Sequence, residues 1–92
     1  MSELTILYQC LQQLDNKINI VISSMEVETA SIHTLEDVIQ NTQMKKINKN
    51  MLNILINWHK SRVIELRKSL REYYIYRDVI TDDIQYYNMY PS

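Results

Sequence analysis

The sequence predicts an all-α protein, most simply a long antiparallel coiled-coil helical hairpin. Three observations predict it. The 92 residues contain no Gly and one Pro, Pro91, whereas sheets, tight turns and phosphate-binding loops normally draw on Gly. Leu4, Leu7, Leu11, Leu14, Ile18, Val21 and Met25 recur at alternating steps of three and four, and the register continues through Glu28, Ile32, Leu35 and Ile39. A second seam runs through Leu52, Ile56, His59, Val63, Leu66, Leu70, Tyr73, Arg77, Ile80 and Ile84. Two such seams in one chain satisfy each other if the chain folds back on itself.

The first helix is expected over about residues 2–40. Its weak stretch is SSMEVETASIHT, where Ser, Thr and β-branched residues lower helix propensity. A break near 24–33, with Thr34 capping a new helix ahead of Glu36 and Asp37, gives the alternative fold, a three-helix bundle. Past Ile39 the first register would place Thr42, Lys46 and Lys49 in the core, so a turn is expected at about 40–44. Asn41 tolerates the left-handed conformation used at such ends.

The second helix is expected over about 45–80 or longer, followed by a Tyr-rich tail to residue 92. Two alignments of the hairpin fit the seams. In the first, paired core residue numbers total 84, so that Leu14 meets Leu70, Ile18 meets Leu66 and Val21 meets Val63. It sets Asp15 beside Arg67, Glu36 beside Lys46 and Tyr8 beside Tyr74. In the second the total is 91 and the loop shifts to 43–48. The two cores read as equally apolar, and the first alignment is preferred for its charge pairs. The whole chain reads as a single helical domain, marginal in size for a compact core and therefore open to completion by a partner.

Charge is distributed unevenly. Residues 1–41 hold Lys17 against Glu3, Asp15, Glu26, Glu28, Glu36 and Asp37, whereas residues 42–77 are strongly basic. The two halves are electrostatic complements. Lys60, Arg67, Lys68 and Arg71 are candidate phosphate contacts on the second helix, which would suit a nucleic-acid-binding protein. Their competing use is to neutralise the acidic first helix, and Glu65 and Glu72 interrupt the stripe.

No pattern names a reaction. Cys10 is alone, which excludes a disulfide scaffold, and its place beside the seam suits a small, half-buried residue. Glu28 and His59 are polar members of the facing seams and fall within about one layer of each other in either alignment. They read as a register-setting polar pair, since no further ligand joins them at metal-binding spacing. Asp82 and Asp83 read as solvation or capping after Thr81. No catalytic residue, metal ligand or cofactor site is expected, and no Arg precedes Arg62 to build an anion-binding site between the helices. No basic leader or membrane-length apolar run is present, so an intracellular, soluble protein is the expectation.

Two surpluses remain. Ile47, Met51, Ile54 and Trp58 form a second apolar stripe turned away from the hairpin seam. A two-helix hairpin cannot bury both stripes, and such a surface usually marks a protein interface. In the tail, Tyr86, Tyr87 and Tyr90 offer contact area with polar tips. The expected function is therefore a non-enzymatic adaptor or assembly subunit that binds protein partners, in a hetero-complex or a homo-oligomer. The alternatives are the nucleic-acid-binding protein and, on shape alone, a stalk or chaperone-like hairpin of a secretion or tethering machine.

Overall fold

The computed structural model describes residues 1–90; the last two positions of the Tyr-rich tail, Pro91 and Ser92, lie outside the described residues. Two long α-helices make up the fold, α1 (Glu3–Asn41) and α2 (Lys46–Met89). They form a helical hairpin. Ser2 caps α1, its Oγ accepting the Thr5 N–H at 3.2 Å, and Glu3 in the first turn complements the helix dipole. Residues 42–45 connect the helices. The Lys45 carbonyl accepts from the N–H groups of Asn48 and Lys49, which starts α2. Among the described residues none has a positive φ, so Asn41 does not take the left-handed conformation expected of it.

The α1 helix is unbroken, which removes the three-helix alternative with its break near 24–33 and the cap at Thr34. Two of the five hydroxyls of the weak stretch are occupied within the helix. Ser31 Oγ donates to the Val27 carbonyl at 3.0 Å and Thr34 Oγ1 to the Ala30 carbonyl at 2.9 Å. They therefore do not compete for the backbone. Propensity losses of a few tenths of a kcal/mol per residue are smaller than the roughly 1.5–3 kcal/mol gained by burying one large apolar side chain. Met25 and Ile32 supply that burial from within the stretch. Amide exchange at residues 24–33 should accordingly be slowed as in the flanking turns; exchange there at random-coil rates would mean a break.

The α2 helix runs past residue 80, as the longer of the expected bounds allowed, and includes most of the Tyr-rich tail. Asp82 and Asp83 lie inside it and cap nothing, and Thr81 Oγ1 bonds back to the Arg77 carbonyl at 2.8 Å.

Tertiary contacts group the chain into two units. The first is Met1–Ile22 with Ser69–Ser92. Its buried residues are Leu14, Ile18, Val21 and Ile84. Arg77 Nε donates to Asp15 Oδ1 at 2.8 Å, and the Tyr87 hydroxyl donates to Glu3 Oε2. The second is Ser23–Lys68. There Ile32, Ile56 and Val63 form a buried cluster, with Met25, Leu35 and Ile39 packed against it.

These partners correct the preferred alignment. Asp15 meets Arg77 and not Arg67, and Glu36 shares a shallow hollow with Asn53, Asn57 and Lys60 and not with Lys46. Both units fit the alignment whose paired numbers total 91. The layers nearest the connection decide it. The rejected alignment sets Leu35 against Lys49 and Ile39 against Lys45, and leaves Ile84 without a facing layer. The observed one packs Leu35 and Ile39 with Ile56. Exposed ion pairs are worth only about 0.2–1 kcal/mol each and cannot offset those lost apolar contacts.

Candidate functional site

The second unit places its side chains on three sides of the helix pair. Facing inward are Met25, Glu28, Ile32, Leu35 and Ile39 of α1 with Leu52, Ile56, His59 and Val63 of α2. Glu28 and His59 meet here, His59 Nδ1–H donating to Glu28 Oε2 at 2.5 Å. Their side chains are 22 % and 20 % exposed, enough for water to reach the remaining lone pairs and the second ring nitrogen. Removing one partner strands a half-buried polar group. His59→Leu should therefore lose about 1–3 kcal/mol in urea denaturation, and adding Glu28→Leu should restore most of it. Additive losses would mean that the contact is not formed.

The residue after each seam position lies on one flank of an antiparallel pair, and the residue before it lies on the other. The following residues are polar: Glu26, Thr29, His33, Glu36 and Gln40 on α1, and Asn53, Asn57 and Lys60 on α2, with Ile64 as the exception. The preceding residues differ. Met51, Leu55 and Trp58 form a large apolar ridge on α2, with Ile47 and Ile54 beside it, and all five are exposed. The ridge ends at Arg62 and Glu65, an exposed ion pair at 3.7 Å on the same flank. Trp58 is 68 % exposed, and its ring is tilted by 59° to that of His59 at a centroid distance of 5.3 Å. On α1, Val27, Ser31, Thr34 and Val38 form a smaller ridge. The sequence reading found Ile47, Met51, Ile54 and Trp58 but missed Leu55 and the α1 ridge. The signal was available, because each of these residues immediately precedes a seam residue.

At the far end of α2, Tyr86, Tyr87 and Tyr90 are exposed. Tyr86 packs edge-on to Tyr87 at 6.0 Å and tilts against Tyr90 at 5.2 Å. The hydrogen bond to Glu3 raises the Tyr87 phenol above its ordinary pKa, because ionisation would set two anions together. This contact ties the start of α1 to the last turns of α2.

Lys60, Arg67, Lys68 and Arg71 are all exposed, and none forms an ion pair among the described residues. Among the described residues the contacts that reach the carboxylates of the acidic helix from basic side chains of α2 are Arg77 with Asp15 and His59 with Glu28. Cys10 is exposed and not half-buried as its position suggested. Among the described residues no group of three His, Cys, Asp or Glu side chains is placed to hold a metal ion, and no helix is long and apolar enough to cross a membrane.

No family model matches the chain, and no curated protein or solved structure matches it.

Proposed function

We propose that this chain is a small, non-enzymatic assembly subunit that engages protein through the apolar side of α2. One observation carries the reading: Ile47, Met51, Ile54, Leu55 and Trp58 lie exposed together on one helix while the adjacent seam is filled. Large exposed apolar surfaces are unfavourable in water and are characteristic of interfaces, where Trp is a frequent energetic anchor. None of these five residues is charged, which suits the dry centre of an interface, and the Arg62–Glu65 ion pair lies at its edge. The exposed tyrosines at the end of α2 offer a second, more polar contact area of the kind that holds an interface rim.

A photoreactive benzoyl-phenylalanine in place of Ile54 tests this in cells that express the chain. Covalent protein adducts should form from position 54 and be much fewer from position 68, on the basic stripe. No adduct from 54, or adducts to nucleic acid from 68, would replace this reading with the nucleic-acid one.

A further inference from the structure

We infer that the apolar flank of the second unit is covered by a second copy of this chain, with the Trp58 ridge of each copy seated on the small-residue ridge of the other. The inference rests on the assembly reading above and names the partner at its main surface.

The first support is area. The chain exposes 7328 Å², whereas a folded monomer of 11.1 kDa is expected to expose roughly 5,650 Å². The excess, roughly 1,700 Å², lies within the roughly 1,000–2,500 Å² that each subunit of an obligate homodimer buries. No side chain of the described residues is fully enclosed, as expected of half a core.

The second support is self-complementarity. A two-fold interface requires that one patch carry both the projection and its receptacle. This flank does. Met51, Leu55 and Trp58 project from α2, and Ser31 and Thr34 leave a low strip on α1 between Val27 and Val38. The low strip is already satisfied, its two hydroxyls being bonded to the carbonyls of Val27 and Ala30, so it can be covered without orphaning a donor. The charges on this flank, Arg62 and Glu65, lie beyond Trp58 and pair with each other at 3.7 Å, whereas Glu26, Glu36 and Lys60 are spread along the whole opposite flank, which could be covered only by desolvating them.

The third support is level. Within the unit Glu28 bonds His59, and Ile56 packs with the Ile32 cluster, so Trp58 stands close to the level of Ser31 along the helices. A two-fold axis parallel to the helices preserves every level. It brings the Trp58 of one copy against Ser31 and Thr34 of the other, and Leu55 against Thr34 and Val38. The four helices then enclose the ridges between them, as in a four-helix bundle.

Sedimentation equilibrium of the whole chain, with Trp58 emission followed over the same dilution series, tests the inference. The expected mass is twice 11.1 kDa, with emission moving to the red as the dimer dissociates. Ser31→Arg, which keeps a good helix former on an exposed face, should weaken the dimer at least about tenfold, as should Trp58→Ala. Asn53→Arg on the polar flank should leave it unchanged, and circular dichroism should show all three variants equally helical. A dimer indifferent to Ser31→Arg and Trp58→Ala would place the contact elsewhere and overturn the inference. A monomer throughout with red-shifted Trp58 would also overturn it, while leaving the ridge free for a different protein. A monomer with blue-shifted, shielded Trp58 would overturn both the inference and the assembly reading.

Discussion

Ile56→Ala should lower the unfolding free energy of the chain by about 2–5 kcal/mol in urea denaturation. Ile56 is the most enclosed side chain of the described residues, at 5 % exposure, and it sits in the cluster that joins Ile32 and Val63 to Met25, Leu35 and Ile39. The truncation removes three carbon atoms from a site bounded by two rigid helices, which cannot collapse fully around the gap. Leu66→Ala, at a second buried position of the same seam, should fall in the same range. The core holds only eight buried apolar residues among those described, so either loss is a large share of the total stability. A loss below about 1 kcal/mol at Ile56 would mean that the seam is not a packed core.

Trp58→Ala should do the reverse. In the isolated, dissociated chain it should change stability by less than about 1 kcal/mol, because the side chain is mostly in water already. In the assembled state the same change should cost about 2–4 kcal/mol, a weakening of roughly thirtyfold to a thousandfold, because the anchor is then desolvated. Isothermal titration or dilution of the assembly gives the second number, and denaturation at low concentration gives the first. Equal penalties in the two experiments would mean that the ridge belongs to the hairpin's own core.

The fold class was legible in the sequence because heptad spacing and the lack of Gly constrain a chain at every residue. Leu14, Ile18, Val21, Ile32, Ile56, Val63, Leu66 and Ile84 were all seam positions in the periodicity, and all are buried. The alignment was harder. Shifting one helix by a full heptad keeps every apolar stripe facing inward and changes only which layers pair, so periodicity is silent on it. Charge pairing was used to choose and pointed the wrong way, towards Asp15 with Arg67. The structure instead pairs Asp15 with Arg77. The informative residues were Leu35 and Ile39, whose partners next to the connection are apolar in one alignment and lysines in the other.

Continuity of α1 was obscured for a different reason. Ser31 and Thr34 read as breakers when propensity is taken alone, and their return bonds to Val27 and Ala30 depend on the helix already being there. The last turns of α2 were read as a tail because the preferred alignment leaves them overhanging the hairpin, with no facing layer on α1. The contact between Tyr87 and Glu3 links positions too distant in sequence for any local pattern to reveal.

For the candidate site, the exposed stripe was legible on α2, where four large apolar residues exceed what one seam can use. Its counterpart on α1 was not, because Ser31 and Thr34 contribute by being small, and small polar residues on a helix surface carry no signal of their own. Only with both seams fixed does the asymmetry between the two flanks emerge.

The most direct test of the account is the environment of Trp58, the single Trp of the chain, in the isolated protein at the lowest measurable concentration with helicity intact. Acrylamide should quench its emission nearly as well as that of free indole, and the emission maximum should lie in the range of solvated Trp. A blue-shifted, shielded Trp58 in a helical monomer would contradict the account, because the ridge would then be core and no interface would remain for a partner to fill.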